Sequence, residues 1–176
     1  AAHALAAPRL QRRLPTERYY EEEGRAELTP RDFGILMHRV FENAATTDEI
    51  YMAIEAMTQD GVLDEKEAPR LRELVEKALA DPVTAEWFGG RWQVVRNENE
   101  IILPGSGTTR RPDRVMTDGE RAVVVDYKFG DRETARHRKQ IREYLRLLRQ
   151  MGYTRTEGYL WYVRLGRTER VEEKED

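Results

Sequence analysis

The run Ala122-Val123-Val124-Val125 passes without a break into Asp126-Tyr127-Lys128, and no other stretch restricts the fold as much. Four consecutive apolar residues predict a strand buried on both sides, the pattern of a sheet covered on both faces. Ionisable side chains at the end of such a strand are costly unless they are paired or used. Asp126 and Lys128 stand two apart, so both point to the same side of the strand. A carboxylate placed there can bind a divalent cation. The lysine beside it can orient or polarise an attacking water and offset charge on a phosphate.

The surrounding periodicities supply the layers. Thr29 and Pro30 are a cap and first helical residue for PRDFGILMHRVFENA, whose Phe33, Leu36, Met37, Val40 and Phe41 share one stripe. Thr47 opens a second helix with Ile50, Ala53, Ile54 and Met57 inward and Gly61 as its stop. A third, DEKEAPRLRELVEKALADP, carries Leu71, Leu74, Val75, Ala78 and Leu79 and ends before Pro82. After Trp87 and Gly89-Gly90 the pattern turns to a meander of strands in RWQVVRNE, EIILP, RPDRVMTD and ERAVVVDYKF. Residues 134–151 return to a helical period with Ile141, Tyr144, Leu145 and Leu148 on one face, and GYLWYVRL is a closing strand. The order predicts an α/β (α+β) fold, a central mixed sheet flanked by helices with a helical subregion before it. Residues 1–28 read as an irregular lead-in, 29–166 as the single domain and 167–176 as a charged tail. LPGSGTTRRP reads as a mobile loop beside the site.

Composition narrows the chemistry. There is no cysteine, which excludes disulfides, thiolate zinc sites, iron–sulfur clusters and cysteine nucleophiles. No apolar run approaches the ~18 residues of a membrane span, and no signal peptide is evident, so a soluble cytoplasmic protein without a membrane partner is expected. The net charge of −3, from 30 Lys plus Arg against 33 Asp plus Glu, would not recruit nucleic acid by itself. Local distribution matters more, because Arg111, Arg136, Arg142 and Arg146 belong to a cluster of basic residues around the Asp126 segment that could hold a phosphate backbone. Taken singly, each of these arginines reads equally well as part of a solvated helix face.

Asp113, in the preceding strand, is brought back beside Asp126 by a hairpin around 117–120. Two carboxylates on neighbouring strands make a hard-oxygen site suited to magnesium or manganese. The same residues also read as two surface ion pairs, Asp113 with an adjacent arginine and Asp126 with Lys128. His38 reads alone as a packed helical histidine, Tyr144 as core, and Glu42, Glu98 or Glu100 as outer partners of a site. His3 and His137 carry no motif, and Trp87, Trp92 and Trp161 read as core.

Pro112-Asp113, followed after a strand and turn by Asp126-Tyr127-Lys128, resembles the signature of the PD-(D/E)XK nuclease superfamily. Three further features are similar to its RecB-like branch: Gly34 and His38 in FGILMHRVFE, Gln140 and Tyr144 in KQIREY, and the closing strand GYLWYV. The resemblance spans 34–163 in family order. It implies a restriction-endonuclease-like core, a metal held by His38, Asp113, Asp126 and the carbonyl of Tyr127, and Lys128 as the catalytic lysine beside Asp113 and Asp126. It implies Gln140 and Tyr144 in DNA contact or support of the site, Mg2+ or Mn2+ as cofactor, DNA as substrate and a nucleoid location. It further implies an exonuclease module joined to the helicase motor of a UvrD/RecB/AddA-type helicase–nuclease in DNA end processing and recombinational repair. The chain has no G-x-x-x-x-G-K-[ST] loop, so it is not itself that motor. Rival readings are a free-standing exonuclease, a CRISPR-associated nuclease, whose iron–sulfur form needs four cysteines, and a catalytically silent DNA-binding or scaffolding domain of the same fold.

Overall fold

A computed structural model describes residues 29–97, 101–102, 109–130 and 135–174. Helices α1 (Pro30–Glu42), α2 (Thr47–Gln59), α3 (Ala68–Ala78) and α4 (Pro82–Trp87) precede the sheet. Each start has a local cause. Thr29 and Thr46 accept hydrogen bonds from the backbone N–H groups of Asp32 and Glu49, and Asp81 does the same for Val83 ahead of Pro82. Helix α4 was not expected from the sequence, although its Asp-Pro start is a legible cap. Six residues are too few to display a helical period. Helix α3 begins later than its pattern suggested, at Ala68, because the turn at 64–67 is closed by Asp64 accepting from the Lys66 N–H.

The main sheet runs in the order β1-β4-β5-β6-β7, from β1 (Val94–Asn97), β4 (Arg114–Asp118), β5 (Arg121–Lys128), β6 (Arg155–Tyr162) and β7 (Arg167–Val171). Among the described residues β2 (Ile101–Ile102) and β3 (Thr109–Arg110) pair only with each other, so the expected four-strand meander is two units: a short ribbon, and β1 laid directly against β4. The strands β4 and β5 are antiparallel, joined by a turn at Gly119, whose φ of 58° suits glycine. β5 and β6 are parallel, with α5 (Ala135–Gln150) as their crossover, which makes the sheet mixed as the pattern predicted. The segment read as a charged tail contributes the edge strand β7, antiparallel to β6. Its residues RTERV bury only Val171 fully, as an edge strand with one apolar position permits, and this hid it from a search for apolar alternation. The mobile-loop reading of LPGSGTTRRP falls largely on 103–108, outside the described residues, as do His3, Glu98, Glu100 and the lead-in.

Two cores flank the sheet. On one face α1 to α4 bury Val123, Val125, Tyr127 and Trp161 among Phe41, Trp87 and Phe88, with neighbouring ring centroids 5.2 to 5.9 Å apart. On the other, α5 covers Ala122, Val124 and Leu160 with Ile141, Tyr144, Leu145 and Leu148. The alternation of β5 between the two clusters is why its apolar run has no polar break, and why Asp126 and Lys128 follow Val124 toward the α5 side.

Candidate active site

The corner where β4 begins and β5 ends holds the ionisable residues. Register pairs Arg114 with Val125, so Asp113, one residue earlier, comes opposite Asp126. The two are bound reciprocally through the backbone. Asp113 N–H donates to Asp126 Oδ1 at 3.2 Å, and Tyr127 N–H donates to Asp113 Oδ2 at 2.6 Å. Lys128 Nζ stands 4.0 Å from Asp126 Oδ2, and His38 Nδ1, from the inward face of α1, stands 3.5 Å from Asp113 Oδ1. The His38 ring lies edge-on to Phe129 at 4.8 Å, which fixes its plane. Sequence-predicted His38, Asp113, Asp126, Tyr127 and Lys128 are thus one cluster drawn from three elements.

Asp126 is 4 % exposed. Burial pushes its carboxyl above the usual carboxylate range, while Lys128 and the Asp113 N–H pull it back. An anion held in that environment is a good partner for a cation, and the donor set of two carboxylates, an imidazole and a backbone carbonyl fits a hard divalent ion. Among the described residues no three His, Asp or Glu side chains already close into a metal cage. The described donors form a chain of pairwise contacts, His38 to Asp113 to Asp126.

The other predicted residues are distributed around this corner. Gln140 donates to the Tyr144 hydroxyl at 3.0 Å, and Tyr144 is fully buried in the α5 core. Arg111, Arg136 and Arg146 are exposed, Arg142 is half-buried, and Glu42 is exposed at the end of α1. A Cβ added at Gly34 would meet Phe129 at 3.5 Å, an ordinary contact, so glycine is not sterically required there.

Two residues have a place that the sequence did not give them: His137, read as ordinary, and Arg114, read as one of the basic residues around the site. His137, in the first turn of α5, has its pKa held below the ordinary histidine value by burial, then by the positive charges of Lys128 and Arg136. Arg114 is completely buried. Its Nη1 donates to Ala44 O at 2.6 Å and Asn97 Oδ1 at 3.1 Å, its Nη2 to Ala45 O and Trp87 O at 2.8 Å each, and its guanidinium stacks 4.0 Å over Phe88. It therefore ties the first residue of β4, next to Asp113, to the end of α1 and the end of α4. Only its place inside an apolar strand pattern hinted at this, and an arginine there reads first as solvent-facing.

The family model for the PD-(D/E)XK nuclease superfamily matches residues 9–176, and no curated protein matches the chain significantly. With its five-stranded mixed sheet flanked by helices, the chain belongs to the PD-(D/E)XK nuclease superfamily. Members of that superfamily are generally nucleases with a restriction-endonuclease-like fold that typically use divalent metals such as Mg2+. No helix among the described residues is long and apolar enough to cross a membrane.

Proposed function

We propose that this domain is a Mg2+- or Mn2+-dependent deoxyribonuclease of the RecB-like branch, working as an exonuclease in a helicase–nuclease that processes DNA ends for recombinational repair at the nucleoid. The observation that carries the nuclease reading is the meeting of Asp113 and Asp126 at the strand end with Lys128 beside them. His38, Asp113, Asp126 and the Tyr127 carbonyl would hold the metal. Bound there, a divalent ion supplies Lewis-acid stabilisation of charge on the phosphate. Lys128 carries its ammonium to the same point, where it orients the attacking water and offsets negative charge on the scissile phosphate. Asp126, 4.0 Å away, in turn keeps the lysine directed. Hydrolysis then proceeds by direct attack of water, with no covalent enzyme intermediate. Gln140, Tyr144, Arg111, Arg136, Arg142 and Arg146 support the site or contact the DNA backbone, and the net charge of −3 is compatible with delivery of DNA by a tethered motor. Residues 29–171 act as the catalytic unit.

Labelled single- and double-stranded DNA incubated with Mg2+ or Mn2+ tests the reading, alongside calorimetric titration of the metal. Asp126→Ala is expected to lose both cleavage and metal binding, and Lys128→Ala to lose cleavage by on the order of 100-fold or more while keeping the metal. Normal cleavage by Lys128→Ala would remove the lysine from the mechanism. DNA binding without cleavage by the wild type under any divalent ion would establish the silent-domain alternative.

A further inference from the structure

The far end of the sheet, where β5 and β6 begin and α5 finishes, carries a cavity of about 450 Å³, open to solvent and lined by Arg121, Arg149, Arg155 and Arg170 together with a single carboxylate, Glu157. Glu157 is already committed. It accepts from Arg121 Nε at 2.6 Å and from the Tyr159 hydroxyl at 3.2 Å. Arg121 is further held by Glu86 at 2.5 Å, Arg149 pairs with Glu173, and Arg170 reaches Glu172 at 3.4 Å. Among the described residues the side chain of Arg155 makes no ion pair or hydrogen bond. Arg170 also stands 3.8 Å from Glu157, so three of the four guanidinium groups are shared with carboxylates, and Arg155 is the one left to meet a phosphate oxygen with the other three around it. Guanidinium forks match phosphate oxygens in geometry as well as charge.

The cavity is linked to the catalytic corner by α5. Lys139, Arg142, Arg146 and Arg149 are spaced by three and four residues, so they form one stripe along the 16-residue helix. The stripe begins near the start of α5, the element that follows β5 and its terminal Lys128 in the chain, and ends at Arg149 in the cavity wall. Arg121 and Lys128 terminate the same eight-residue strand, so the two ends lie about 23 Å apart at ~3.3 Å per residue. That equals roughly seven phosphate steps of one duplex strand at ~3.4 Å of axis each.

We propose that the arginine cavity is a distal phosphate subsite, gripping the backbone of a nucleic-acid strand whose scissile phosphate lies at Lys128 and whose chain runs along the α5 stripe. The proposal rests on the nuclease reading above, and adds that the domain measures its substrate by length. Contacts of this kind hold any sequence equally, since phosphates carry no base information.

The test is binding, read by fluorescence anisotropy in EDTA so that no cleavage intervenes, of DNA about 4 and about 14 nucleotides long, lengths chosen to fall short of and to exceed the seven-step span. Wild type is compared with Arg149→Ala/Arg155→Ala and, because both removals could disturb the edge of the sheet, with Arg155→Glu alone, whose side chain has no partner to lose among the described residues. The longer DNA should bind the wild type more tightly. Both variants should lose most of that gain, and the double variant's salt slope for the longer DNA should fall by roughly 1.8, or about 0.9 for each phosphate contact removed. Affinity for the short DNA and cleavage of it with Mg2+ should be unchanged. A length gain that survives in both variants overturns the subsite, as does an equal loss at both lengths, which would make the arginines a diffuse field. A wild type that cleaves nothing but shows the length gain would sink the nuclease reading while leaving the subsite standing.

Discussion

At the scale of single residues, Arg114 has more influence on the site than its silence in the sequence suggests. Its guanidinium satisfies three backbone carbonyls and one side-chain amide oxygen from three separate segments, and burial lowers its pKa, opposed by the neighbouring Tyr127. Arg114→Met would keep much of the volume and leave the carbonyls of Ala44, Ala45 and Trp87 without donors, each orphan costing about 1–3 kcal/mol. We expect a loss of at least about 3 kcal/mol in urea unfolding. A loss under about 1 kcal/mol would mean that water replaces the guanidinium and that Arg114 is dispensable. The acidic pair and the lysine were legible in the sequence because ionisable groups at the end of an apolar strand need a reason to be there. Arg114 was not, since a partner set lying on the α1–α2 turn, β1 and α4 has no expression in local spacing. Gln140 and Tyr144 were legible as a helical pair, and the structure joins them to each other.

At the scale of elements, the closeness of α5 to β6 is set by Gly158. A Cβ built there would fall well inside van der Waals contact distance of Ile141 Cγ2 and 3.2 Å from Leu145 Cδ2. These contacts are with the middle of a packed helix, so the neighbours cannot swing aside. Gly158→Ala should therefore destabilise the domain by about 1–3 kcal/mol through overpacking, with no change in strand length. Thermal melting of the variant reads this directly, and an unchanged midpoint would show that α5 shifts freely on the sheet. Helices α1, α2 and α5 and the central strands β4 to β6 were visible in the sequence, because each shows several turns or alternations of one period. The misses are the elements that are too short or too polar to do so, α4 and β7, and the partner choice of β1, which depends on contacts with β4 rather than on β1's own residues.

At the scale of the whole molecule, charge is arranged rather than summed, with 30 basic and 33 acidic residues nearly balanced. The Glu86–Arg121–Glu157 network joins α4 to β5 and β6. Burial alone would raise the Glu157 pKa, but the hydrogen bond and charge of Arg121 outweigh it and hold the group below the ordinary carboxylate range. A depressed carboxyl stabilises the fold above its unfolded pKa of about 4.3, and that contribution disappears as pH falls through the folded value. The stability difference between wild type and Glu157→Gln should thus be constant near neutrality and shrink below about pH 4.3. Urea midpoints across that range check it, and a difference that stays level in acid would show that ionisation of Glu157 does not matter. The buried guanidinium of Arg114 has one more effect, on timing. Its acceptors Ala44 and Ala45 lie 70 and 69 residues away in the chain and Trp87 lies 27 away, so the neighbour of Asp113 is locked only when distant segments have closed on one another. A chain still folding carries all the acidic residues but not their arrangement, so the candidate site comes into being last.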